Sequence, residues 1–147
     1  MMIVVASDHG GLALKEEVKA YLDEKGVDYI DVGNDSGASC DYAAYGKAAA
    51  LKVAGGECEK GLLFCGTGIG MAMVANKIKG IRAAVASDIY SVKYTRLHND
   101  ANILALGGRV VGGGLALELV ETFLTTPFEG GRHQRRIDQI AELEKEW

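Results

Sequence analysis

Five short runs rich in β-branched and apolar residues punctuate the chain, at Ile3 to Ala6, Val27 to Val32, Gly61 to Cys65, Arg82 to Ala86 and Ile103 to Leu106. The stretches between them carry helical periodicity. Leu12 to Lys25 places Leu14, Val18 and Leu22 at a spacing of four, and Leu115 to Leu124 repeats Leu115, Leu119 and Phe123. Strands that alternate with helices are joined by crossovers, and crossovers make a parallel sheet covered by helices on its faces.

The pattern predicts a three-layer αβα, Rossmann-like fold with a five-stranded parallel sheet and right-handed crossovers. A polar C-terminal helix follows from about Arg132. The 147 residues fit one domain spanning 1–147, with no internal repeat, low-complexity tract or linker. A hydrophobic fraction of 48% against 24% charged residues belongs to a globular chain, and no apolar run reaches the roughly 18 residues of a membrane span. Met1 to Ala6 leads straight into the first strand pattern without a basic leader, so a cytoplasmic location is expected. Three cysteines form no C-x-x-C pair, which argues against a disulfide framework and suits a reducing compartment. A net charge of −4 provides no general field for nucleic acid, whereas Arg132, Arg135 and Arg136 concentrate positive charge late in the chain, as a small anion would require.

Glycines cluster where strands end, at Gly10-Gly11, Gly66 to Gly70 and Gly107-Gly108, and ligands of open α/β sheets bind at the carboxyl ends of the strands. The segment Cys65-Gly66-Thr67-Gly68-Ile69-Gly70 leaves a buried strand and enters a helix containing Met71 to Lys77. Backbone N–H groups converging in such a turn bind anions and favour the thiolate of an adjacent cysteine. Cys65 taken alone reads equally well as a buried cysteine closing a core strand. The glycines tilt the reading toward function. A phosphate-binding P-loop would need Gly-Lys-Ser/Thr, which is absent; a C-x5-R phosphatase would need arginine where Met71 stands; and G-x-G-x-G after the third strand is an incomplete dinucleotide fingerprint.

Ser7-Asp8-His9-Gly10-Gly11 ends the first strand, with Ser7 or Asp8 able to cap the following helix and His9 left without a structural task. Arg132 and Arg136 stand at i and i+4, where two guanidiniums can grip one phosphate, while Arg135 and His133 read as an ordinary solvated face. The histidines lack metal-ligand spacing such as H-E-x-x-H, so neither metal nor cofactor is expected. Cys40 and Cys58 acquire no role; Glu57 and Glu59 beside Cys58 disfavour its thiolate.

Taken together, Ser7 to Gly11, Asp41-Tyr42, the Cys65 to Gly70 turn, Ala75-Asn76-Lys77, Gly80-Ile81-Arg82-Ala83, His98-Asn99-Asp100-Ala101-Asn102 and Gly130-Gly131-Arg132-His133-x-x-Arg136 resemble the ribose-5-phosphate isomerase B family. That family also includes galactose-6-phosphate isomerase subunits and allose-6-phosphate isomerases. The resemblance spans nearly the whole chain. It implies a homodimer, or a dimer of dimers, with active sites between subunits and the arginines supplied by the partner. It implies Cys65 as the base acting at C2, a cis-enediolate intermediate, Thr67 assisting proton transfer between sugar oxygens, and the amides of Gly66, Gly68, Ile69 and Gly70 as the anion hole. Asp8 and His98 match positions linked to ring opening, Tyr42 and Asn99 sugar contacts, and His9, Arg132 and Arg136 phosphate contacts, with Arg109 a weaker candidate. Ala43 replaces the proline common in the family after Asp-Tyr, and Met71-Ala72-Met73 stands where one branch carries a catalytic glutamate, which places this chain with the cysteine branch. The expected activity is interconversion of ribose 5-phosphate and ribulose 5-phosphate; the alternatives are allose- or galactose-6-phosphate isomerisation, or a non-catalytic sugar-phosphate sensor.

Overall fold

The computed structural model describes all 147 residues. Strands β1 (Met2–Ser7), β2 (Asp28–Asp31), β3 (Lys60–Cys65), β4 (Ala83–Val85) and β5 (Ile103–Gly107) alternate with helices α1 (Leu12–Lys25), α2 (Tyr42–Ala54), α3 (Ile69–Ala75), α4 (Ile89–Asn99) and α5 (Gly113–Thr125), and α6 (Arg132–Glu144) closes the chain. The strands form one all-parallel sheet in the order β2-β1-β3-β5-β4. This is the predicted three-layer α/β architecture.

Burial on both faces explains why the central strands read as unbroken apolar runs: Ile3 to Ala6, Leu62 to Phe64 and Ile103 to Ala105 are fully buried. Alternate residues feed two cores. Ile3, Val5, Leu62, Phe64, Leu104 and Leu106 join Leu14, Val18, Leu22, Leu119 and Phe123 in a cluster of 17 residues under α1, α4 and α5. Val4, Ala6, Leu63, Cys65 and Ile103 join Ala49, Ala50, Met71 and Ala75 in one of 14 under α2 and α3. Each large aliphatic side chain so buried contributes about 1.5–3 kcal/mol.

Two boundaries, and the character of one helix, differ from expectation in ways that side chains explain. β4 covers only Ala83–Val85, because the Arg82 N–H is taken by the Asn102 side chain at 2.8 Å instead of by a strand. α3 stops at Ala75, since the Asn76 side chain turns to β4 and makes a ladder-like pair with Ala83, donating to its O at 2.9 Å and accepting from its N at 2.8 Å. α6 begins at Arg132 as predicted but is amphipathic: His133 and Ile137 are buried, and Ile140, Leu143 and Trp147 border a groove of about 350 Å³ against Ile81 and Ala83.

Candidate active site

The chain leaves β1 for β2 on one side and returns to β3 on the other, so the carboxyl ends of β1 and β3 flank the point where strand order reverses. Here the backbones nearly touch. A Cβ on Gly11 would sit 2.2 Å from the Phe64 carbonyl carbon, so only glycine lets α1 start this close to β3. Asp8 is buried, its N–H donates to the Phe64 carbonyl, and its Oδ1 accepts the Gly11 N–H at 3.0 Å. That bond closes the turn ahead of α1. No side chain caps the helix itself, and the Ser7 hydroxyl is buried without a partner, so the capping expectation fails for Ser7 and is replaced by turn closure for Asp8.

Cys65 ends β3 with only 4% of its surface exposed. The Gly68 N–H donates to its Sγ at 3.0 Å, a geometry made possible by the left-handed backbone of Gly68 at φ 83°. Thr67 projects outward, and its hydroxyl accepts the Ile69 N–H at 3.2 Å. The first N–H groups of α3, including that of Gly70, have no carbonyl within the helix to bond and face the strand ends. Two side chains roof this turn. A Cβ on Gly70 would meet the Tyr42 ring at 2.9 Å, and one on Gly66 would meet Arg109 Nη1 at 3.2 Å, which places the phenol and the guanidinium directly over the glycines. The Arg109 N–H also donates to the Gly66 carbonyl at 3.1 Å, tying β5 to the turn.

His9 is oriented by residues that no motif marks. Its Nδ1 accepts the Cys40 N–H at 3.3 Å, so a neutral ring presents Nε2–H as a donor. Cys40 Sγ in turn accepts from Asn34 Nδ2 at 3.0 Å, and the Asn34 carbonyl receives the fully buried Lys15 ammonium at 2.7 Å. Cys40 therefore has a place at the site's edge. Cys58 lies elsewhere, in the second core; burial first, and Glu57 after it, push its thiol up.

The remaining expected residues stand at the other end of the sheet. Gly61 pairs with Ile103 and Cys65 with Gly107, and the Gly61 N–H bonds the Asn102 carbonyl, so His98 and Asn99 close α4 beside the start of β3. Four residues of parallel strand, about 13 Å, separate that end from Cys65. α6 packs on α4 and keeps Arg132 and Arg136 there, both exposed. His133, expected on a solvated face, is instead 4% exposed and stacks on His98 with ring centroids 4.0 Å apart. Burial, then the neighbouring His98 and Arg132, hold His133 below the ordinary imidazole range. Within one chain the structure thus assembles Asp8, His9, Tyr42, the Cys65 to Gly70 turn and Arg109 in one place, and His98, Asn99, Arg132 and Arg136 in another.

The family model described as Ribose/Galactose Isomerase matches residues 3–140. Ribose-5-phosphate isomerase B of Escherichia coli K12 is 48% identical over 143 residues, covering 97% of this chain and 96% of the relative. Among solved structures, Clostridium thermocellum ribose-5-phosphate isomerase B superposes with a TM-score of 0.98 at 49% identity, covering 99% of both chains. The Mycoplasma genitalium ribose-5-phosphate isomerase B, solved with bound ribulose-5-phosphate, superposes with a TM-score of 0.94 at 40% identity over 99% of this chain and 97% of its own. With its topology, its glycine-lined switch point and these likenesses in agreement, the chain belongs to the ribose/galactose isomerase family of aldose-ketose isomerases.

Proposed function

We propose that the chain interconverts ribose 5-phosphate and ribulose 5-phosphate at sites built from two copies, with Cys65 as the base. The observation that carries this reading is the Cys65 sulfur held under the Gly68 N–H at 3.0 Å, inside a glycine turn at the switch point of the sheet. A hydrogen bond donated to sulfur stabilises negative charge there. Ring opening comes first: the Asp8 carboxylate takes the O1 proton, the C1–O4 bond breaks as C1=O1 forms, and imidazolium His98 of a second copy gives its proton to O4. The Cys65 thiolate then removes the C2 proton. The electron pair moves into the C1=C2 bond of a cis-enediolate, whose charge meets the amides of Gly66 to Gly70. Thr67 passes a proton from O2 to O1, and the thiol returns its proton to C1. His9 Nε2–H, with Arg132 and Arg136 of the second copy, grips the phosphate; Arg109 adds charge above the turn, and Tyr42 and Asn99 contact the sugar.

The homodimer in this reading is supported by the separation of the two groups within one chain and by the exposure of Arg132 and Arg136. A cytoplasmic location is supported by three free thiols. No helix is long and apolar enough to cross a membrane.

The test is turnover of ribose 5-phosphate by the Cys65→Ala variant, which should fall at least about 100-fold with sugar-phosphate binding retained. Undiminished turnover sinks the cysteine mechanism. Measuring allose 6-phosphate and galactose 6-phosphate in parallel assigns the substrate by kcat/KM, and binding without turnover on any of the three sugars would favour a sensor.

A further inference from the structure

His98, Glu129 and His133 bring three metal-ligating atoms within 4.8 Å of one another, but they are not arranged to hold an ion. The two imidazoles lie face to face with 11° between their planes, so their in-plane lone pairs run side by side and do not meet at one point. What the cluster does fix is the setting of His98. The Glu129 N–H donates to the Leu97 carbonyl at 3.0 Å, which pins Glu129 to the last turn of α4, one residue from His98. Its Oε2 stands 3.2 Å from His133 Nε2, out of hydrogen-bond alignment, and 3.9 Å from His98 Nε2. His98 is further bounded by the Tyr94 ring edge at 5.0 Å and by the His133 face. The other charged groups near the pair are Arg132 and Arg136 of α6. The carboxylate thus faces both imidazoles, with its Oε2 within ion-pair range of His98.

We propose that Glu129 is a positioning residue for ring opening: its carboxylate, with the His133 ring as a wall, holds the His98 ring in the orientation from which it protonates the furanose oxygen O4. This rests on the role given to His98 above. Glu129 touches no reacting atom. The proton His98 gives to O4 is matched by the one Asp8 takes from O1, and it returns to His98 through solvent before the next turnover.

If catalysed opening is lost, the enzyme depends on sugar that opens unaided, and its rate ceases to follow enzyme concentration. The experiment measures initial rates on ribose 5-phosphate over a wide range of enzyme for the wild type, Glu129→Gln and His98→Asn. Wild-type rate should rise in proportion throughout, whereas Glu129→Gln should level off, about tenfold or more below the wild type at the highest enzyme. A Glu129→Gln rate that stays proportional to enzyme, at full or reduced slope, overturns the proposal, because a merely structural defect lowers the slope without producing a plateau. His98→Asn separates the two levels of the argument. Its failure to level off removes ring opening from His98, and absence of wild-type isomerisation removes the proposed function itself.

Discussion

Lys15 has no exposed surface, and its ammonium is satisfied by Asp31 Oδ1 at 2.9 Å and the Asn34 carbonyl at 2.7 Å. Burial alone would raise Asp31, but hydrogen bonds from Lys19, Lys15 and the Gly33 N–H outweigh it and hold the carboxyl below its ordinary value. A depressed folded-state pKa contributes stability that is present above the ordinary carboxylate range and is lost as pH falls through the lowered value. Asp31→Asn should therefore be less stable than the wild type at pH 7, by about 1–3 kcal/mol, and the gap should close at an acid pH below the lowered value. Urea denaturation at both pH values reads this directly. Since Lys15 also anchors the segment leading to Cys40 and His9, the same variant should weaken phosphate binding. At the glycine turn, Thr67→Ala removes an exposed hydroxyl without a packing cost, and kcat should fall about 100-fold with thermal stability unchanged.

Among the elements, the junction out of β1 is the tightest. A methyl at Gly11 would lie 2.2 Å from one backbone carbon of Phe64 and 2.5 Å from the Cys65 nitrogen, and backbone on both sides leaves nothing that can swing away. Gly11→Ala should cost more than about 3 kcal/mol, seen as a large drop in Tm. Gly68→Ala adds a side chain at φ 83° and 3.0 Å from the Leu106 carbonyl carbon. It should cost about 1–3 kcal/mol and also displace the N–H that meets Cys65, so activity should fall further than stability alone explains. The Asn76 amide, which completes the edge of β4, shows the opposite device: a side chain standing in for a strand.

At the scale of the whole molecule, the proposed site, drawn from opposite ends of the sheet, requires complementary subunits. Neither Cys65→Ala nor Arg132→Ala homodimers should turn over substrate. Mixing and reassociating the two should restore about a quarter of wild-type activity, since half the dimers are mixed and each mixed dimer keeps one intact site. Inactivity of the mixture, with mixed dimers verified by mass, would place both residues in the same chain's site.

The order of elements was legible in the chain because strands buried on both faces must be continuously apolar and crossover helices must be periodic; Ile3 to Ala6 and Leu14, Val18 and Leu22 are examples. The Cys65 turn was legible for a related reason: glycines at strand ends mark backbone approaches that no other residue permits. Side chains whose partners are distant in sequence left no such mark. Cys40 acquires no role from its motifs, His133 reads as solvated, and nothing in the local pattern marks Lys15 or Glu129, because burial and pairing over 16 to 35 positions follow from how helices dock. Local periodicity records what each segment must bury, and so the sequence alone determined the layers and the strand-end turn. Which side chains meet across them, and the division of the expected site residues between opposite ends of the sheet, was decided only by the tertiary structure, through strand register and the packing of α6 on α4.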